Sequence, residues 1–292
     1  VYGVPTGANT LAILANPDLF KAAGVELPDD DAWTWEEFAE IATAISAGTP
    51  DGVYGAELRF EDVNGTYAAQ RGESLYSLDG KSVTIPESTL AAYWTMSLDL
   101  MKAGGTAPAE LQDEVKAAGP EQTLLGQGKA AMITGYDNQL EAYATASGAP
   151  IVLLRLPGES EHKQAGAVLN PSQYYAIWSG TPHPAEAAKF VNFLVNDPAV
   201  GPIIGANRGM PSNPDVRAAA EPGFNEYQKA DSAYLDRIQE HIAGTYVPQP
   251  AGAQIQNDLS RELDGKVLFG QLTPQQAAAD WISRMQASID GA

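Results

Sequence analysis

Residues 128–156 read GKAAMITGYDNQLEAYATASGAPIVLLRL, and this stretch decides the architecture. Gly128 to Gly135 is a short apolar run with glycine at both ends, the pattern of a buried strand. Asn138 to Ser147 then reads as helix, and Ile151-Val152-Leu153-Leu154-Arg155-Leu156 as a second strand stopped by Pro157. Strand, helix and strand in succession predict α/β layering with largely parallel strands.

Upstream, Trp33-Thr34-Trp35-Glu36-Glu37-Phe38 opens a helix over 35 to about 46. Thr34 is its N-cap, Glu37 the third-position partner of a capping box, and Trp33 with Phe38 a hydrophobic staple. Trp35, Phe38, Ile41, Ala42 and Ile45 make its buried face, so packing rather than sugar stacking explains both indoles. Leu78-Asp79-Gly80-Lys81 places a hairpin turn between Tyr76 and Ile85. A helix through Leu90, Tyr93, Trp94, Leu98 and Met101 follows, ended near Gly104.

Downstream, Tyr174 to Trp178 is strand-like, and a helix starting at Pro184 carries Ala187, Phe190, Val191 and Leu194 on one face. Two terminal helices are expected. Ile255, Leu259, Leu263 and Val267 line the first; Thr273-Pro274-Gln275-Gln276 caps the second, with Ala278, Trp281, Met285 and Ile289 inward. Polar runs at 157–163 and 205–214 mark passages between lobes.

Composition removes several classes of function. The 292 residues carry 17 Lys+Arg against 37 Asp+Glu, a formal charge of −20, which repels polyanions; nucleic acid is excluded as a partner. There is no cysteine, hence no thiolate nucleophile, disulfide or thiolate metal site. With 44% apolar residues and only 18% charged, the chain folds, and its length suits two lobes. Its longest apolar runs fall far short of the roughly 20 residues of a spanning helix. Val1-Tyr2-Gly3 follows neither an initiator Met nor a signal-peptide pattern, so an upstream segment is expected.

Local chemistry is sparse. Gly126-Gln127-Gly128-Lys129 is no P-loop, because Ala130 follows the lysine and a strand follows the glycines. His162, His183 and His241 are far apart and read as solvated. Asp29-Asp30-Asp31 lacks the glycine and distal glutamate of a calcium loop and reads as a solvated turn. No Gly-x-Ser-x-Gly elbow occurs. With so many acids, a glycosidase-type carboxylate pair stays open as the alternative, a secreted carbohydrate-active hydrolase.

Taken together, Tyr2-Gly3-Val4-Pro5-Thr6-Gly7 with Asn9-Thr10, Asn16-Pro17-Asp18-Leu19-Phe20, Trp33 to Phe38, Gly128 to Met132, Pro184 to Phe190 and Arg208-Gly209-Met210-Pro211 resemble one family. It is the extracytoplasmic solute-binding proteins of ABC importers, in the sugar-binding group related to maltose-binding protein. Ala15 departs from the tyrosine usual there. Family members begin well upstream of Tyr2, so the resemblance implies an α/β, two-lobed, periplasmic-binding-protein-like fold with an incomplete amino-terminal lobe. Residues 1–7 would be a hinge strand, 8–165 and 215–292 the carboxy-terminal lobe, and 166–214 a return to the other lobe.

The implied function is non-enzymatic: a monomer, tethered outside the cell through an upstream lipid-modified segment, binds a saccharide between its lobes and hands it to ABC permease subunits. No cofactor or metal is expected. Sugars present apolar C–H faces and hydroxyl rims, so a site needs aromatic platforms beside amides and carboxylates. The resemblance places Asn9, Tyr136, Asp137 and Asn138 at the ligand, with a packed Tyr136 and a helix-capping Asp137 as the structural alternative. Asp62, Asn64 and Tyr67 align loosely with a sugar-contacting loop. Gln173 and Tyr174 lead into the returning strand; Arg208 is a ligand anchor or an internal ion-pair partner, and Gln254 a contact or a cap.

Overall fold

The computed structural model of the chain describes residues 3–158, 166–206, 208–242, 247 and 249–292, and for residues 60–62 and 240 it describes the backbone alone. Tyr2, His162 and most of the polar run at 157–163 therefore lie outside the described residues, as does the Asp62 side chain. In chain order the first elements are β1 (Val4–Pro5), β2 (Ala8–Asn9), β3 (Leu11–Ala15), α1 (Pro17–Ala23), α2 (Trp35–Gly48), β4 (Tyr54–Glu57), α3 (Phe60–Gln70), α4 (Glu87–Lys102), α5 (Ala109–Val115) and β5 (Ala130–Tyr136). They are followed by α6 (Leu140–Ser147), β6 (Val152–Leu154), β7 (Asn170–Pro171), β8 (Tyr174–Tyr175), α7 (Pro184–Asn196), α8 (Gly201–Ile204), α9 (Pro214–Ala220), α10 (Glu226–Ile238), α11 (Gln256–Leu268) and α12 (Pro274–Asp290).

Packing divides the chain into two compact units. The larger takes Leu11–Gly135, Ala142–Val168 and His241–Ala292; the smaller takes Val1–Thr10, Tyr136–Glu141 and Leu169–Glu240.

The larger unit is built on a four-stranded sheet in the order β4-β5-β3-β6. β4 runs parallel to β5, and β6 antiparallel to β3. The Asn16 N–H donates to the Ala131 carbonyl at one end of β3, and the Asp137 N–H to the Thr10 carbonyl at the other, so β3 runs against β5. Three strands thus share a direction and β3 is reversed between β5 and β6, so of the three pairings only that of β4 with β5 is parallel. Both sheet faces are covered, and Ala12 to Ala15 and Ala130 to Ile133 are accordingly without exposure.

The helices begin where the capping chemistry puts them. Thr34 Oγ1 accepts from the Glu37 N–H at 3.0 Å while Glu37 Oε2 accepts from the Thr34 N–H at 2.8 Å. Trp33 and Phe38 meet edge to face at 5.8 Å. Thr273 and Gln276 repeat the box at α12, whose Ala278, Trp281 and Met285 are fully buried against α4 and α11. The 76–85 hairpin is reduced to one antiparallel bridge, Tyr76 with Val83, its turn closed by the Gly80 N–H on the Ser77 carbonyl.

The aspartates at 29–31 lie in a solvent-facing loop before α2, Asp29 and Asp31 exposed and Asp30 half-buried, but two of them are also engaged. Asp30 Oδ2 accepts from the Arg155 N–H at 2.8 Å, Asp31 Oδ1 pairs with the Arg155 guanidinium at 3.0 Å, and the Trp33 indole N–H donates to the Arg155 carbonyl. The acidic run fastens the loop before α2 to the strand end after β6, which no local pattern encodes. Among the described residues no group of acids and histidines is arranged to hold a metal ion.

The smaller unit carries two antiparallel pairs, β1 with β8 and β2 with β7, and the helices α7 to α10. α7 starts at Pro184, but its apolar stripe is not inward: none of its residues is buried, and Phe190 is 60% exposed. The expected strand over 174–178 is only Tyr174–Tyr175, and Trp178 stands 75% exposed.

Candidate functional site

Three stretches of the smaller unit, residues 3–9, 170–175 and 208–210, cross and bond through their backbones. The Thr6 N–H donates to the Gln173 carbonyl and the Ser172 N–H to the Gly7 carbonyl, both at 3.0 Å. Ala8 and Met210 exchange both of their N–H···O bonds, at 2.9 and 3.2 Å. The hydroxyls of Thr6 and Ser172 both donate to the Arg208 carbonyl, at 2.7 and 2.6 Å.

So close an approach requires glycine. A Cβ on Gly7 would stand 2.6 Å from the Gly209 carbonyl carbon; one on Gly209, whose φ is +88°, would stand 2.0 Å from Ser172 Oγ. Gly209→Ala is expected to cost about 1–2 kcal/mol for the left-handed backbone alone and about 1 kcal/mol more as Ser172 is pushed off the Arg208 carbonyl. Thermal unfolding and faster hydrogen exchange at the Ala8 and Met210 amides read the loss.

On this frame the structure brings together four expected residues. Gln173 and Arg208 are exposed, and the Arg208 Nη1–H donates to Gln173 Oε1 at 3.1 Å. Among the described residues no carboxylate pairs with Arg208, so the ion-pair role weighed for it is not seen. Tyr174, 53% exposed, is next in register on β8, paired across from Pro5. Asn9 faces Asn170 on β7, and its Oδ1 is buried with no hydrogen-bond partner among the described residues.

The 136–141 segment of the same unit holds three more. Tyr136 is half-buried, with its N–H donating to Gln139 Oε1; Asn138 is exposed. Asp137 is wholly buried, its Oδ1 accepting from the Thr10 N–H at 3.0 Å and the Asn138 N–H at 2.8 Å. Burial, with Asp231 beside it, pushes the Asp137 carboxyl well above the usual carboxylate range. Burial likewise raises Asp231 to about 6, against the pull of Asp137 and Arg217.

The remaining candidates belong to the larger unit. Asn64 on α3 is buried, with no partner for its Nδ2 among the described residues. Tyr67 is buried in an aromatic cluster, 4.9 Å from Tyr93 and 6.0 Å from Trp35 between ring centres, with the Arg71 guanidinium 3.5 Å over its face. Gln254 lies exposed in the short turn Ala253–Ile255. The buried amide there is Gln256, which accepts from the Tyr76 hydroxyl at 2.5 Å. Burial lifts the Tyr76 phenol above its ordinary value. Gln256 and Asp231 were missed by sequence reasoning, and each sits in a run that no motif marks; Ser172 belongs to the Ser172-Gln173-Tyr174 run that leads into the returning strand.

The family model for bacterial extracellular solute-binding proteins matches residues 2–201. The chain belongs to this family. Solved structures with this fold include an extracellular solute-binding protein of family 1 from Alicyclobacillus acidocaldarius, 24% identical with a TM-score of 0.84, the match covering 99% of this chain and 72% of that one. A Yersinia enterocolitica oligogalacturonide-binding protein in complex with digalacturonic acid is 19% identical, with a TM-score of 0.83 and coverages of 99% and 73%. A Streptomyces glaucescens receptor solved with acarbose is 20% identical, with a TM-score of 0.71 and coverages of 99% and 71%. The expected solute-binding-protein fold therefore holds, and the family is one of binding proteins outside the cytoplasm. Among the described residues of this solute-binding protein, no helix is long and apolar enough to cross a membrane.

Proposed function

We propose that this chain is the solute-binding component of an ABC importer, taking up a mono- or oligosaccharide between two lobes and delivering it to the permease. The observation that carries the reading is the three-stretch crossing. It holds Gln173, Arg208 and Tyr174 exposed on a backbone fixed by reciprocal hydrogen bonds, beside an Asn9 Oδ1 that lacks a donor among the described residues. Amide, guanidinium and phenol together satisfy hydroxyl rims and an apolar sugar face, and a buried acceptor left unmatched costs about 1–3 kcal/mol. Asn138, Tyr136, Asp137, Gln254, Asn64, Tyr67 and Asp62 are the further candidate contacts in this reading. The digalacturonic acid and acarbose bound by the Yersinia and Streptomyces proteins support the substrate class.

The lobes in this proposal are residues 8–165 with 215–292, and residues 166–214 with polypeptide equivalent to the part of the relatives that this chain does not match. The open apolar residues Phe190 and Trp178 suit a stretch covered by such polypeptide. Packing within the described residues groups 215–240 with 169–214 rather than with 241–292. A monomer tethered at the cell surface through an upstream lipid is part of the same reading.

Calorimetric titration with neutral and uronate oligosaccharides tests it. Saturable binding near micromolar, about −8 kcal/mol, with the sugar recovered intact, is the expected result, neutral sugars being favoured over uronates by the charge of −20. Asn9→Ala and Gln173→Ala should each weaken it. Turnover abolished by one carboxylate substitution would replace the receptor with the hydrolase, and silence across the panel would remove both.

A further inference from the structure

Asp137 and Asp231 form a pair of buried acids. Both are buried, one on the turn Asp137–Gln139 and the other in the middle of α10, and their carboxyl groups lie in hydrogen-bonding contact. Asp137 spends one oxygen, Oδ1, on the Thr10 and Asn138 N–H groups. Its other oxygen, Oδ2, and Oδ1 of Asp231 find no N–H or hydroxyl donor among the described residues. Two buried carboxylates in contact, each with a donorless oxygen, repel unless a proton lies between them.

We propose that Asp137 and Asp231 share one proton, and that its loss loosens the seat of α10 on the 136–139 turn, so that the smaller unit tightens in mild acid and relaxes towards alkaline pH. Placed on Asp137 Oδ2, the proton is donated to Asp231 and leaves Asp137 Oδ1 to its two backbone donors. Asp231 is the partner that stays ionised, because the Arg217 guanidinium on α9 acts on it. The raised values of both carboxyls have the same cause, burial, and agree with this arrangement.

The other charged groups on the neighbouring elements are already engaged. Arg217 pairs with Asp236 at 2.6 Å, Glu141 accepts from the Asn225 amide, Glu221 accepts from Ser232, and Arg237 lies over the Tyr234 ring. Lys229, on α10, lines the surface hollow that also holds Glu221 and Asp236. The coupling reaches the crossing, since Thr10 directly follows Asn9 and Asp137 directly follows Tyr136. It does not depend on the identity, or even the existence, of a ligand.

The sign follows from proton counting. An aspartic acid held protonated in the fold binds more protons there than in the unfolded chain, so its contribution is complete below the unfolded value of about 3.9 and is lost as pH rises through the pair's own value. Across that window the folding equilibrium constant falls about tenfold per pH unit for one proton, then levels. Asp137→Asn copies the protonated state, its amide donating permanently to Asp231.

Denaturant unfolding of the full chain between pH 4 and 8 provides the test. The expected result is a steeper fall for wild type than for Asp137→Asn between pH 4 and about 6, with the variant at least tenfold more favourably folded at pH 8. Parallel slopes in wild type, Asp137→Asn and Asp231→Asn would overturn the proposal. Infrared spectra of the wild type decide it even where a variant fails to fold: a protonated-carboxyl band must persist at pH 5.5, where ordinary carboxylates are ionised, and weaken as the pH is raised further. Its absence at pH 5.5 sinks the idea.

Discussion

Gly55→Ala is expected to destabilise the larger unit by about 3 kcal/mol or more, at the upper end of what overpacking costs. A Cβ on Gly55 would stand 1.9 Å from the Ala42 carbonyl oxygen and 2.4 Å from its carbonyl carbon and Cα. These are backbone atoms of α2, so no rotamer change relieves the clash, and the helix must lift from β4. Lifting it also breaks the 2.8 Å bond from the Gly55 N–H to Ser46 Oγ. Urea unfolding should show a large drop in midpoint. Gly65→Ala is the control, since its Cβ meets only a Leu75 methyl at 3.6 Å within α3 and should stabilise by about 0.5–1 kcal/mol. Similar behaviour of the two variants would mean that α2 does not lie on β4 as described.

The contrast between these two glycines explains what the sequence could disclose. The Thr34 and Thr273 capping boxes are local, their donors and acceptors three residues apart, so both helix starts were legible at the residue level. The buried stripe of α12 was legible for the same reason, because period and burial share one helix. Gly55 was not singled out: its need for a missing side chain comes from α2, which reaches it only after the chain has folded back. Asp30 and Asp31 likewise look like surface acids until Arg155, more than a hundred positions away, meets them.

Inward orientation is a further inference that periodicity alone does not license. The stripe Ala187, Phe190, Val191 and Leu194 has the same spacing as a buried face, yet in the described residues nothing buries it. Spacing fixes which residues share a side of a helix, and only a neighbour decides whether that side is inside. The site divides in the same way. Gln173 and Arg208 are 35 residues apart, and resemblance rather than any motif proposed both; Ser172 shares the cue of Gln173, but the bond of its hydroxyl to the Arg208 carbonyl, which ties the third stretch of the crossing to the second, is not written in either run. Asp231 sits among Lys229, Asp236 and Arg237 in what reads as a solvated helix, and its burial depends on the turn at Asp137.

Trp281→Ala should cost about 3–5 kcal/mol. The indole is fully buried on α12, the helix that makes its most extensive packing with α4, where Trp94 is equally enclosed and Tyr93 nearly so. Its Nε1–H donates to Ser260 Oγ at 2.9 Å, and Ser260 is itself without exposure, so truncation leaves both a cavity and an orphaned hydroxyl. Trp281→Phe separates the two contributions: it keeps most of the volume and loses the donor, and is expected to cost about 1–3 kcal/mol for the unpaired group. The alanine loss should also exceed that of Thr273→Ala, which removes a single cap worth about 1 kcal/mol. Denaturant midpoints for the three variants give the order directly. An alanine variant within about 1 kcal/mol of wild type, less than a single buried methylene-scale cavity series allows, would mean that α12 is not integral to this core.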